Sequence, residues 1–158
     1  MIQRMKERMN PRLKGWDYSN PGAYLVTVVT SNRRHHFGSI VDGALHESRI
    51  GTLIRHAWAS LPSKFGGLRL GASVIMPNHL HAIVWLAHHG ELGSPNLIKV
   101  MQAFKSQTTR ESHREGLQAG PLWQRSFHDR VIRGDEELQA LHDYVVNNPR
   151  MWSMDPER

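Results

Sequence analysis

A chain of 158 residues, 39% hydrophobic and 22% charged, has room for one domain with a substantial core and too little for two. The composition is that of an ordinary globular protein, and no apolar run approaches the roughly 18 residues that a spanning helix needs, so neither disorder nor a membrane is expected. A formal charge of +6 with 11 histidines favours a polyanionic partner, most commonly nucleic acid, while the absence of cysteine excludes disulfides and thiolate metal sites.

Residues 1–15, "MIQRMKERMNPRLKG", are too polar for the apolar stretch of a signal peptide, which points to the cytoplasm. They read as a basic N-terminal arm of the kind that touches phosphate. "GAYLVTVVTSNR" follows as a first strand, β-branched and aromatic, closed by a polar turn. "SRIGTLIRHAWASLP" is the clearest helix. Ile50, Leu53, Ile54, Ala57, Trp58 and Leu61 recur at helical spacing, Ser48 caps the start, and Pro62 stops the end.

"LRLGASVIMP" and "HLHAIVWL" are two strands with Pro77 and Asn78 as the hairpin turn between them. "NLIKVMQAFKSQTTRES" is a second helix, capped by Asn96, with Leu97, Val100, Met101 and Phe104 as its inner stripe. "LWQRSFHDRVIR" reads as another strand. The last helix, within 134–149, carries acids in its first turn, where the dipole favours them, and ends at Pro149. The order predicts one α+β domain over residues 1–158: an antiparallel sheet of four or five strands with flanking helices, ferredoxin-like or RRM-like.

His79 and His81 sit inside the strand "HLHAIVWL" and therefore point to one face. Same-face neighbours are roughly 6.6 Å apart at the backbone, a gap that two imidazoles can close onto one metal ion. The plainer alternative is a pair of hydrogen-bonded histidines, each ring needing partners for both nitrogens. No Glu follows at 83–86 as a cupin-like site would want, and the chain is short for a barrel amidohydrolase. Farther along, Tyr144 and Asn148 are four residues apart on the last helix, on the shoulder of the stripe formed by Leu138, Leu141 and Val145. That shoulder is half-buried and suited to facing a cleft beside the sheet.

Taken together, "MPNHLHAIVWL", "FKSQTT", "LWQRSFHDRVIR" and "YVVNNPRMWSMD" resemble the REP-associated tyrosine transposases, relatives of the single-tyrosine HUH transposases. The resemblance runs from about Tyr24 to Asp155. It implies an HUH fold and a divalent ion, Mg²⁺ or Mn²⁺, held by His79, His81 and Asn148, with Tyr144 as the nucleophile. A metal held by neutral ligands keeps nearly its full charge for polarising a phosphate oxygen. The activity implied is cleavage and rejoining of single-stranded DNA beside REP-type hairpins through a covalent 5′-phosphotyrosine. The partner implied is hairpin-bearing single-stranded DNA in the bacterial cytoplasm, at the nucleoid, with no small-molecule substrate, the protein acting as a monomer or homodimer.

Lys105, Arg33, Arg34, Arg110, Arg125, Arg130 and Arg133 are the candidates for phosphate contact, with Lys105 foremost because it lies in the matched "FKS". Trp123 and Phe127 are the aromatic candidates for stacking on a base. Two departures from the family stand out: Ala82 where a Gly is usual, and "HDR" at His128 to Arg130 where "YDH" is often found. The second bears on target preference. A catalytically silent hairpin-DNA-binding descendant is the competing reading.

Overall fold

The computed structural model describes residues 12–90 and 93–158. In chain order it contains β1 (Gly22–Val29), β2 (Gly38–Val41), β3 (Ala44–Glu47), α1 (Arg49–Ala59), β4 (Leu68–Met76), β5 (His79–Leu86), α2 (Leu97–Arg114), β6 (His128–Ile132) and α3 (Asp135–Asn147). A 3₁₀ segment, Asn148–Met154, continues directly from α3. Four strands form one antiparallel sheet in the order β4-β5-β1-β6, and β2 and β3 form a separate hairpin. The expected α+β architecture is borne out.

The helix starts follow local chemistry. Ser48 accepts from the Gly51 N–H, and the Asn96 side chain accepts from Ile98 and Lys99 N–H, so orphan amide donors at both starts are satisfied. The α1 helix ends at Ala59, and Pro62 falls in a short 3₁₀ turn beyond it. Pro77 and Asn78 do form the hairpin turn between β4 and β5.

Three expectations need correction. "LWQRSFHDRVIR" is a strand only from His128; Leu122, Trp123 and Phe127 are instead buried in an irregular stretch, tied to β1 by a single bridge between Thr30 and Trp123. Three inward apolar side chains there satisfy the core without a ladder. The β2–β3 hairpin was not expected at all. Its signal is the Asp42-Gly43 pair, whose positive φ values of 51° and 73° give the turn that suits a two-residue hairpin. Thirdly, Pro149 does not end the helical path, because a first-turn proline is compatible with the tighter 3₁₀ coil that follows.

The sheet is covered on both faces. One face, with Tyr24, Val26, Val28, Leu80, Ala82, Val84 and Leu86, packs against α1 and α2 to form the main core. Phe104 of α2 is fully buried there, its ring 5.2 Å from that of Trp58 and 5.7 Å from that of Trp123. Such aromatic pairs add about 0.5–1.5 kcal/mol beyond the area they bury. The other face is served by α3 through a much smaller cluster of Leu25, Ile83, Leu141 and Val145. His79 and His81 lie on this second face, in line with Ile83, so the alternation of β5 aims both imidazoles towards α3.

Candidate active site

The register of the sheet decides the surroundings of the imidazoles. Thr27 of β1 lies opposite His81, and its Oγ1 is 2.7 Å from His81 Nδ1. Asn78, in the turn just before β5, places its Oδ1 2.7 Å from His79 Nδ1. Both inner ring nitrogens are thereby satisfied. Both outer ones, His79 Nε2 and His81 Nε2, are buried without a hydrogen-bond partner among the described residues. The rings meet edge to face, 4.5 Å between centroids.

Two other elements close on this point. The Tyr144 ring stands edge to face with His81, centroids 5.4 Å apart, so the last helix brings the phenol to the imidazoles within a single chain. Asn148, one turn on, is only 2% exposed, with Oδ1 buried and unpartnered. The expected half-buried shoulder therefore holds for Tyr144 and not for Asn148, because the 3₁₀ segment folds back over the amide.

The 3₁₀ segment also supplies a group that the sequence reading missed. Asp155 is buried, with Oδ2 3.3 Å from His79 Nε2. The pair is close but not aligned as a hydrogen bond, and both atoms remain unpartnered. One donor atom each from His79, His81 and Asp155 lies within 4.8 Å of the others. No helical or strand period could flag Asp155, since it follows an irregular coil; its only signal was an acid beside the matched "YVVNNPRMWSMD" in a basic chain.

Four orphaned, buried polar atoms converging from three elements are costly unless something compensates them. A divalent cation does so, and nitrogen and oxygen donors at this spacing fit one. Adjacent ligands of an octahedral ion sit roughly 3 Å apart, close to the His79–Asp155 separation. The donor set is not the neutral one expected: a carboxylate stands in it and offsets part of the ion's charge. Burial, then the neighbouring His79, push His81 down to about 3, so it is a neutral base at pH 7. Burial resists ionisation of Asp155, but the adjacent His79 outweighs it and the carboxyl is held below its ordinary range. Burial and then the Asp155 charge push the Tyr144 phenol up to about 12, against the opposing pull of the Asn148 amide.

The predicted phosphate-contacting residues fare differently. Lys105 turns inward: its Nζ donates to the carbonyls of Gln124, Arg125 and Ser126, and burial followed by the nearby Arg12 lowers its pKa. Arg33 bonds the Pro156 carbonyl and pairs with Glu157, while Arg130 pairs with Glu137. Arg34, Arg110, Arg125 and Arg133 are exposed, Arg110 bonding only Ser106 of its own helix among the described residues. Trp123 and Phe127 are 4% and 3% exposed and cannot offer a face to a base; the Trp123 indole N–H donates to Thr108 inside the core. Of the N-terminal arm, residues 1–11 lie outside the described residues. Arg12 turns inward to the Phe127 carbonyl and Asp129.

The fold and the pair of same-face histidines define the class, a sheet-based domain of the HUH transposase type. No family profile matches the chain. Within that class the resemblance to the REP-associated tyrosine transposases is borne out. A Haemophilus influenzae protein carrying that name provisionally is 23% identical over 138 residues, 84% of this chain and 73% of the relative. An uncharacterised protein of the same organism is 26% identical over 165 residues, 94% and 91% of the two chains. Among solved structures, a REP-associated tyrosine transposase bound to a REP hairpin superposes with a TM-score of 0.64 at 23% identity, covering 91% of this chain and 74% of its own. A Deinococcus radiodurans protein provisionally named a transposase gives 0.51 at 16% identity, covering 87% and 96%.

Proposed function

We propose that this chain is a divalent-metal-dependent enzyme that nicks and rejoins single-stranded DNA beside REP-type hairpins, with Tyr144 as nucleophile. The observation that carries the reading is the meeting of the Tyr144 ring with two buried imidazoles whose Nε2 atoms are unpartnered. His79 and His81, with Asn148 or Asp155, are the residues that would hold the ion. When bound, the ion supplies positive charge that polarises a phosphate oxygen and lowers the barrier to attack.

The rest belongs to the protein's own side chains. Tyr144 Oη attacks phosphorus, the bond to the 3′-oxygen breaks, and the departing oxygen takes up a proton as the phenol's proton leaves to solvent. The product is a 5′-phosphotyrosine and a free 3′-hydroxyl. Attack by a 3′-hydroxyl on that linkage runs the step backwards and reseals a strand without ATP. With its pKa pushed up to about 12, the phenol is protonated at neutral pH, so positive charge near its oxygen is what makes it a competent nucleophile. Arg34, Arg110, Arg125 and Arg133 are exposed cations suited to the DNA backbone. Lys105 acts at one remove by holding the loop that presents Arg125.

The test incubates hairpin-tailed single-stranded oligonucleotides with the protein and Mn²⁺ and looks for a covalent adduct that survives denaturation. Wild type forms it and Tyr144→Phe does not. Hairpin binding with no adduct at any Mn²⁺ concentration would assign the silent DNA-binding role instead.

A further inference from the structure

Asn78 was expected to be a turn residue, yet its side chain is fully buried and fully committed. Its Nδ2 donates to the Glu157 carbonyl at 2.7 Å and to the Arg33 carbonyl at 3.3 Å. Two acceptors on one side leave only one way round for the amide, so Oδ1 is the atom that faces His79 Nδ1 at 2.7 Å. A carbonyl oxygen only accepts, which requires Nδ1 to carry the hydrogen. The Nε2 lone pair is then free, and it is this atom that lies 3.3 Å from Asp155 Oδ2 with no hydrogen bond. The chain of inference runs from two backbone carbonyls, through an amide orientation, to the protonation pattern of a ring.

We propose that Asn78 is a positioning residue that locks His79 in the Nδ1–H tautomer and so presents its Nε2 lone pair to the metal. The metal clause rests on the function proposed above; the tautomer does not. Hydrogen-bond partners of this kind fix ring orientation and typically change metal affinity by about 10–100-fold when removed. Asn78 also ties that ring to the Arg33 loop and to the C-terminal segment that carries Asp155, so three parts of the site share one amide.

The test uses ¹⁵N-labelled full-length protein without metal and reads the two ring nitrogens of His79 by NMR, alongside calorimetric titration with Mn²⁺. Wild type should show Nδ1–H, and Asn78→Ala should shift His79 towards Nε2–H and weaken Mn²⁺ binding about 10–100-fold. Asn78→Asp keeps the accepting oxygen and loses both donors, so it should retain the tautomer and bind Mn²⁺ more tightly than Asn78→Ala. A merely structural turn or latch predicts the two variants equally impaired. An Nε2–H ring in wild type overturns the proposal even if no variant folds. Failure of wild type to bind Mn²⁺ with Nδ1–H intact instead overturns the metal reading and leaves the tautomer assignment standing.

Discussion

Asp155 Oδ2 lies 3.3 Å from His79 Nε2, both atoms buried and neither hydrogen-bonded. A carboxylate and a neutral imidazole held this way are two electron-pair donors looking at the same point. The arrangement depends on the 3₁₀ segment after α3. Asp155 N–H donates to the Trp152 carbonyl, Asp155 Oδ1 accepts from Glu157 N–H, and the Trp152 ring stacks on His79 at 6.1 Å.

Divalent metal should therefore stabilise the fold. A ligand at a hundred times its dissociation constant adds about 2.7 kcal/mol, which in a domain of this size raises Tm by roughly 5–10 °C. Asp155→Asn keeps the shape and removes the charge, so its thermal shift with Mn²⁺ should be smaller at every concentration. Equal shifts in the two proteins would remove Asp155 from the donor set.

The metal-free protein should lose stability on mild acidification. His81 is pushed down to about 3 from an ordinary 6.5, so below pH 6.5 the unfolded chain binds a proton that the folded chain refuses. Its contribution is complete above about 6.5 and falls away as pH drops towards 3. Asp155, also held low, contributes in the same direction only nearer pH 4. Urea midpoints at pH 7 and pH 5 should diverge in wild type, and His81→Gln should narrow the gap.

Lys105 and Arg125 should separate stability from DNA affinity. Lys105→Met leaves three loop carbonyls without their shared donor and should cost about 1–3 kcal/mol in denaturant unfolding. Arg125→Ala should leave stability unchanged, weaken hairpin binding, and reduce the slope of log K against log salt by about 1. A Lys105→Met protein of full stability but weak DNA binding would reverse the two assignments.

The tyrosine helix should be the first part to loosen. It is held to the sheet by Leu141 and Val145 against Leu25 and Ile83, whereas the opposite face carries the large aromatic core. Leu141→Ala should cost about 2–5 kcal/mol. Hydrogen exchange should rise in α3 well before α1 or α2, with cleavage lost alongside. Uniform acceleration in all three helices would mean that the small cluster is not a separate unit.

Much of the fold was legible because periodicity and caps act locally. Ser48 and Asn96 mark helix starts by satisfying amides within three residues, and the stripe Leu97, Val100, Met101, Phe104 can only be a buried helix face. The Asp42-Gly43 hairpin was equally local and was overlooked. Trp123 and Phe127 were misjudged because an aromatic in a basic stretch looks the same from sequence whether it faces DNA or Phe104. Lys105 was misjudged for the same reason: charge is visible in a sequence, and the carbonyls that absorb it are not.

Strand alternation alone determined that His79 and His81 share a face, and helical spacing alone put Tyr144 beside Asn148. The tertiary structure decided that these pairs meet, because contact between β5 and α3 depends on the packing of Ile83 against Leu141 and Val145. It also decided the partners of each ring nitrogen, since Thr27 reaches His81 only through sheet register and Asp155 reaches His79 only through an irregular coil. Local rules govern conformation within one element; which atoms complete a site is a question of distance between elements, and no residue pattern within one of them encodes it.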